Sequence, residues 1–390
     1  MPAMDSPAIV NVADLRAAAC RRLPRAVFDY LEGTADDGVT GRDNIAAFCD
    51  IAFRPRQAIT VAPDPSTTVL GVRLGLPLLL SPIGYCRLLH PAGDPAVARA
   101  ARRADTGYIL ATGAGYGLDD VAPHNDRLFF QVYQMGGRAA AERALARAKA
   151  LGVKAIFVTV DTPVSGNRER DPKNGMAALM GPRLLPKLRY APEVMAHPRW
   201  LLRFLLDGGV PSMPNVTDEA GRPLPAPDVA GALAKANICW TDLSWIRKAW
   251  DGPIVVKGIL RPDDAIRAVN EGADGIVVSN HGGRQLDTVA ASLRALPPIA
   301  QAVKGKTAIF MDGGIRGGSD IAKAICLGAD AVLVARAYAY GLAAGGEAGV
   351  DKALGILRAD LLRTMKLLGA CNIAALNRDL VAAPPHFEVC

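Results

Sequence analysis

From about residue 76 the chain repeats one pattern eight times. A short apolar run, often β-branched, ends in a polar residue or glycine, and an alanine-rich helical stretch follows. The runs are LPLLLSPIG (76–84), YILATG (108–113), LFFQVY (128–133), AIFVTVD (155–161), IVVKG (254–258), GIVVSN (275–280), AIFMDG (308–313) and AVLVAR (331–336). Apolar runs of this length without polar alternation predict strands covered on both faces, as in parallel sheets wrapped by helices. Eight of them alternating with helices predict a (β/α)8 TIM barrel, an α/β fold; an open doubly wound sheet is the competing arrangement, and the count favours closure. Aromatic residues make up only 5% of the chain, so Ala, Val, Leu and Ile must build the core.

Barrels of this kind run to the 390 residues seen here as one domain with insertions. The expected division is an N-terminal segment (1–75), with a helix over 13–32, and a barrel (76–390) interrupted by a long connection (162–251) after the fourth strand. A loop of that length serves as a lid, a binding element or a disordered segment. Asp94 and Ser319 are expected to cap the helices that follow them, Gly328 to stop the second of these, and a helix after Gly345 to close the domain.

The strand ends carry the chemistry. They present Ser81 and Gly84; Thr112; Gln131 and Tyr133; Thr159 and Asp161; Lys257; Ser279, Asn280 and His281; Asp312; and Arg336. Active groups of a barrel sit where strands pass into loops, and a purely structural barrel has no need of a polar group at nearly every strand end. In SNHGGRQLD (279–287) a histidine leaves the sixth strand, two glycines allow a sharp turn, and Arg284 follows. Histidine is a base near neutral pH and arginine grips a carboxylate with two parallel bonds, so the pair suits an acid substrate that must lose a proton. In MDGGIRGGSD (311–320), Asp312 ends the seventh strand before a glycine turn, and Arg336 ends the eighth. Loops after strands seven and eight commonly bind phosphate. Lys257 points into the barrel mouth, where a Schiff base, anion stabilisation or pairing with an acid are all open. Asp161 ends the fourth strand, where it could orient a histidine or cap the DTP turn, and Arg168 follows seven residues later.

The formal charge of +7 suits an anionic substrate or cofactor, or an acidic membrane surface. No zinc-finger spacing and no basic run interleaved with aromatics points to nucleic acid. Seven cysteines without a CxxC pair read as reduced thiols, with no metal site. No signal peptide is expected at the N-terminus and no apolar run reaches transmembrane length, so a cytoplasmic location is expected.

Taken in order, RRLPRAVFDYLEG, TVDTP, VKG, SNHGGRQLD and DGGIRGGSD resemble the FMN-dependent 2-hydroxy acid dehydrogenase and oxidase family over nearly the whole chain. NRERD, HPRW and GDPAVARAA are similar to its (S)-mandelate dehydrogenase branch, with L-lactate dehydrogenase beside it. The resemblance implies FMN as cofactor and oxidation of an L-2-hydroxy acid to the 2-oxo acid. It casts His281 as general base and Asp161 as its charged partner. It makes Arg284 and Tyr30 the carboxylate clamp, and puts Tyr133 and Arg168 around the reacting oxygen. It sets Pro82, Ile83, Gly84, Thr112, Gln131, Thr159, Lys257 and Ser279 against the flavin ring or ribityl chain. Asp312, Gly314, Arg316, Ala335 and Arg336 fall at the ribityl and phosphate end.

Departures from the family pattern carry expectations of their own. Glycolate oxidase has tryptophan where this chain has Gly113, and serine where it has Ala111, with Thr112 as a substitute hydroxyl. Ala335 replaces a usual glycine, and Gly175 stands where arginine is common. Gly84 and Gly113 both shorten groups near the substrate side chain, which predicts room for a mandelate-like or other bulky acid. In the long loop, RLLPKLRY (183–190) and HPRWLLRFLL (197–206) interleave basic and apolar residues, as an interfacial amphipathic segment does; a lid or oligomer contact is the alternative. Membrane-associated relatives carry their anchor in this loop. The resemblance therefore implies a protein peripheral on the inner face of the cytoplasmic membrane, a membrane quinone as electron acceptor and a homotetramer. Deleting 178–215 is expected to release the protein while sparing its chemistry. An L-lactate dehydrogenase, an oxygen-using oxidase and a non-catalytic flavin-binding scaffold are the other readings.

Overall fold

The computed structural model describes residues 9–181, 183–218, 221–224, 231–233 and 236–387. The N-terminal eight residues, the terminal Cys390 and parts of the long connection therefore lie outside the described residues. Eight parallel strands close into a barrel in chain order: β1 (Leu78–Leu80), β2 (Gly107–Ala111), β3 (Leu128–Val132), β4 (Ile156–Thr159), β5 (Ile254–Ile259), β6 (Gly275–Val278), β7 (Ala308–Met311) and β8 (Ala331–Val334), with β8 pairing back onto β1. All eight apolar runs are barrel strands, and the open-sheet arrangement is ruled out.

Alternation along each strand divides the core in two. Leu78, Leu80, Leu110, Phe130, Val158, Val256, Val278 and Val334 pack outward against the helices. Leu79, Ile109, Phe129, Phe157, Val255, Val277, Phe310 and Leu333 point inward and fill the barrel. Phe157 makes edge contacts with Phe129 and Phe310, its ring centroid 5.9 and 5.8 Å from theirs. The hairpin formed by Thr67–Val69 and Val72–Leu74 adds Val69 and Leu74 to this inner cluster.

Three expectations about the helices are corrected. The helix over 13–32 is two helices, α1 (Val12–Arg22) and α2 (Arg25–Glu32), because Leu23 and Pro24 are extended between them. Proline disfavours helical backbone in the residue before it and lacks the N–H that would continue the ladder. Ser319 is not the cap of the Gly318–Cys326 helix; Asp320 is the residue whose carboxylate accepts from the Arg316 and Gly317 N–H groups, at 2.8 and 2.9 Å. Asp94 does not cap the Gly93–Arg103 helix. It is fully buried and accepts a 2.6 Å hydrogen bond from the Tyr108 hydroxyl. Gly328 follows its helix with φ +114°, and the closing helix runs Glu347–Leu368.

Burial pushes the Asp94 carboxyl up to about 6 against its ordinary 3.8, with the Tyr108 bond opposing. In that window the folded state keeps a proton that the unfolded chain gives up. The stability from this group is therefore complete at low pH and falls by roughly 3 kcal/mol as pH rises through it. Asp94→Asn is expected to remove that slope, so that the variant gains on the parent as pH rises. Urea unfolding on either side of the window checks this; parallel pH profiles would contradict it.

Candidate active site

Two residues beyond the inward apolar ring, the same alternation sets a second inward ring at the mouth of the barrel. Its members are Ser81, Ala111, Gln131, Thr159, Lys257, Ser279, Asp312 and Ala335. The apolar layer below excludes water, and most of these polar groups pair with one another. Gln131 Nε2 donates to Thr159 Oγ1 at 3.1 Å. Lys257 Nζ donates to Ser279 Oγ at 2.9 Å and lies 3.1 Å from Asp312 Oδ2, all three side chains buried. Burial opposes the Lys257 charge, but Asp312 and Asp161 outweigh it and hold its pKa above the ordinary value. Asp312 Oδ1 is buried without a hydrogen-bond partner among the described residues.

His281 stands just past β6. Its backbone N–H bonds to Ser279 Oγ at 3.1 Å, and its φ is +56°, a left-handed conformation that a side chain holds only when its surroundings impose it. Its Nδ1 lies 3.0 and 3.2 Å from the two carboxylate oxygens of Asp161. Burial raises the Asp161 pKa, yet the His281 and Lys257 charges and the His281 hydrogen bond win, and it ends below its ordinary value. With Nδ1–H engaged by the carboxylate, Nε2 is the nitrogen left to act as a base. Gly258 makes the pairing possible. It sits at a bulge in β5 with φ +112°, and a Cβ there would fall 2.6 Å from the Asp161 Cβ.

The cationic wall is built from the next turn. Arg284 Nη1 donates to the carbonyls of Tyr30 and Gly33, each at 2.8 Å, and its guanidinium lies over the Tyr30 ring, 5.2 Å from the centroid. Burial and the neighbouring Arg168 push Arg284 down to about 10. Two crowded, half-buried guanidiniums favour an anion between them. Arg168 Nε is 3.7 Å from Asp171 Oδ2. The Tyr30 hydroxyl donates to Gly84 O at 3.3 Å. Burial, with Asp161 nearby, raises the Tyr133 pKa while a hydrogen bond with Thr162 opposes it. His281, Asp161, Tyr133, Arg168, Arg284 and Tyr30 thus form one continuous group at the barrel mouth.

Other positions singled out in the sequence are placed differently. The Thr112 hydroxyl donates to Gln131 O at 2.6 Å and accepts from Tyr133 N–H at 3.1 Å, so it braces strand ends while Ala111 takes the ring position. Arg336 donates to the carbonyls of Leu31, Glu32, Gly33 and Gly282, which ties the end of α2 to the His281 turn. Arg316 donates to its neighbour Ile315 O at 2.9 Å and lies over the Tyr340 ring. At Gly314 a Cβ would strike Asn44 O, so helix Val39–Ala46 sets that requirement. Ala335 has φ −108°, which needs no glycine.

Met213 of the long connection was not foreseen. It is buried in a small cluster with Met135, Val216 and Ala236, against Tyr85 and Tyr133. A Cβ at Gly113 would lie 3.7 Å from its terminal methyl and 3.8 Å from its sulfur. The room left by Gly113 is therefore lined by a flexible thioether. The span 178–215, expected to be dispensable for the chemistry, thus packs against the barrel mouth at Gly113. The span carries Met213, and it carries Asp207, which pairs with Arg87 at 2.6 Å.

Comparison with known proteins gives one answer. The model of the family described as FMN-dependent dehydrogenase matches residues 19–383. The L-lactate dehydrogenase of Xanthomonas campestris pv. campestris is 42% identical over 379 residues, covering 96% of this chain and 97% of that protein. The L-lactate dehydrogenase of Yersinia pestis is 42% identical over 374 residues, covering 95% and 97%. Among solved structures, the monotopic membrane protein (S)-mandelate dehydrogenase superposes with a TM-score of 0.87 at 37% identity, covering 96% of this chain and all of that one. A mandelate oxidase superposes with a TM-score of 0.81 at 34% identity, covering 96% and 98%.

Proposed function

This chain belongs to the FMN-dependent dehydrogenase family, and we propose that it oxidises an L-2-hydroxy acid with a mandelate-like or other bulky side chain to the 2-oxo acid, passing the electrons to a membrane quinone. The carrying observation is the His281–Asp161 pair, with Tyr133 within electrostatic reach of both Asp161 and Arg168, and Arg168 in turn beside Arg284.

The residues present suit FMN. Asp312 Oδ1 lacks the donor that a ribityl hydroxyl would supply. A buried Lys257 at the ring suits a ligand that gains negative charge, and Gln131, Thr159 and Ser279 offer hydrogen bonds around it. Pro82, Ile83 and Gly84, after β1, and Thr112 complete the proposed flavin contacts. Asp312, Gly314, Arg316, Ala335 and Arg336 form the proposed ribityl and phosphate end. Bound there, FMN supplies a two-electron acceptor.

The chain's own residues do the rest. Arg284 and Tyr30 hold the substrate carboxylate. Arg168 and Tyr133 face the substrate oxygen and stabilise it as it becomes a carbonyl. His281 Nε2 takes one proton, from Cα or from the hydroxyl, and Asp161 stabilises the imidazolium that results. Gly84, Gly113 and Met213 surround the substrate side chain. The lactate reading has its own support: the 42%-identical relatives are named L-lactate dehydrogenases, and Met213 takes up part of the space beside Gly113.

The structural neighbour described as monotopic supports a peripheral membrane location, and the inner face of the cytoplasmic membrane is the proposed side. Among the described residues no helix is long and apolar enough to cross a membrane. Leu185, Leu188, Met195, Leu202, Leu205 and Leu206 of the long connection are exposed, which suits shallow insertion. A homotetramer is the proposed assembly. The N-terminal segment 1–75 and the barrel 76–390, with its 162–251 insertion, are the proposed units.

An anaerobic hydroxy acid panel tests the reading. (S)-Mandelate is expected to bleach the flavin with higher kcat/KM than glycolate, and a quinone is expected to restore the colour faster than air. A preference for glycolate would overturn the bulky-substrate assignment. Bleaching by no hydroxy acid would favour a scaffold.

A further inference from the structure

We propose that the cavity between the Pro198–Leu206 helix, the end of α1 and the Leu88–Pro91 turn binds the phosphate of an anionic phospholipid headgroup. This rests on the membrane reading above and adds a defined ligand to it. The cavity measures about 220 Å³ and is lined by Arg21, Arg22, Arg199, Arg203, His90 and Trp200. Nearby carboxylates are engaged elsewhere. Asp207 forms a two-bond pair with Arg87, at 2.6 and 2.9 Å. Glu193 accepts from the Arg25 N–H at 2.6 Å.

Arg22 Nε is buried with no hydrogen-bond partner among the described residues. Burial, then Arg203 and Arg199, hold the Arg22 guanidinium below its ordinary range, a state that a bound anion would relieve. Burial and the same arginine neighbourhood push His90 down to about 4. It is therefore neutral, with Nε2 lying 2.9 Å from Arg203 Nη1. Among the described residues that line it, the cavity concentrates positive charge and contains no acid, Asp207 beside His90 being already paired with Arg87.

The helix explains why the phosphate belongs to a lipid. Trp200 is buried, donates from Nε1 to Leu88 O at 2.8 Å and stacks on Phe204 with centroids 4.8 Å apart, which fixes the helix on the barrel. Leu202, Leu205 and Leu206 are exposed on one arc. Arg199 and Arg203, four residues apart, occupy the adjacent arc, between the leucines and the cavity. With the leucines at the acyl boundary, the arginines stand at headgroup level.

The test is flotation with vesicles of phosphatidylcholine alone and of phosphatidylcholine and phosphatidylglycerol in equal parts. The FMN-loaded parent is expected to float only with phosphatidylglycerol present. Arg22→Gln/Arg203→Gln is expected to bind these vesicles about thirtyfold more weakly, at about fivefold per basic residue. Arg22→Lys/Arg203→Lys keeps the charge but loses the planar fork, so it is expected to weaken binding too. Turnover with an artificial dye acceptor should stay at the parental level in both. If the lysine pair floats like the parent, the attraction is a general surface effect and the cavity assignment falls while the membrane reading stands. A parent that floats with neither vesicle overturns both. Inorganic phosphate that gives Arg22-dependent heat in calorimetry, with flotation of the glutamine pair unchanged, would make the ligand a soluble phosphate. Leu202→Gln/Leu205→Gln/Leu206→Gln is expected to abolish flotation; if it instead dissociates an oligomer and leaves flotation intact, the leucine face is a subunit contact and the proposal fails.

Discussion

Replacing His281 with asparagine is expected to lower turnover about 10²- to 10⁴-fold, the usual contribution of a positioned general base. Asparagine is a better probe than alanine because the position has φ +56°, a conformation asparagine tolerates more readily than most residues. Alanine should lose comparable turnover but adds backbone strain, so its loss is harder to assign to the missing base. The yellow colour should persist in both variants, since the groups proposed to contact the flavin, Lys257, Ser279 and Asp312, hold one another without the imidazole.

The companion change is Asp161→Asn. Asp161 sits 3.0 Å from His281 Nδ1 and selects the tautomer that leaves Nε2 as the base. An amide there can donate to Nδ1 and favour the opposite tautomer. The expected result is a fall in kcat in the same direction as for His281, with product affinity retained. Exogenous imidazole is expected to restore part of the turnover of His281→Ala. Parental turnover in either His281 variant would end the base assignment.

The barrel and its upper ring were legible because strand alternation is strict. Each inward apolar residue is followed two positions later by a ring member, so Phe129 announces Gln131, Val255 announces Lys257 and Phe310 announces Asp312. The His281 turn was legible because its glycines and charged residues are adjacent in sequence. What escaped depends on contacts between distant segments. Met213 meets Gly113 from a hundred residues away, and nothing local marks it. Asp94 looked like a cap because acids favour helix starts; its partner Tyr108 lies on β2, and the tertiary contact overrode the local preference. Arg336 bonds to carbonyls at the end of α2, about three hundred residues earlier in the chain.

Arg284→Lys is expected to lower kcat/KM for the hydroxy acid about 10²-fold or more, mostly through KM. Every hydrogen bond that Arg284 makes among the described residues runs from Nη1, to Tyr30 O and Gly33 O. Those bonds lock the guanidinium plane and leave Nε and Nη2, the edge that forms a fork with a carboxylate. Two bonds to a charged group contribute about 1.5–3 kcal/mol each, and a lysine ammonium reproduces neither the fork nor its orientation. The substrate carboxylate keeps its charge throughout the reaction, so its grip is nearly the same in ground and transition states, which places the loss in KM. Burial and Arg168 already hold Arg284 down at about 10, so an incoming carboxylate relieves a repulsion that the free site carries. The same side chain also anchors the end of α2, and a loosened helix would lower activity as well. The methyl ester of the same hydroxy acid separates the two. It offers no carboxylate, so parent and variant should turn it over alike if the clamp is what was lost. An equal deficit with acid and ester would assign Arg284 to the scaffold and remove it from the substrate site.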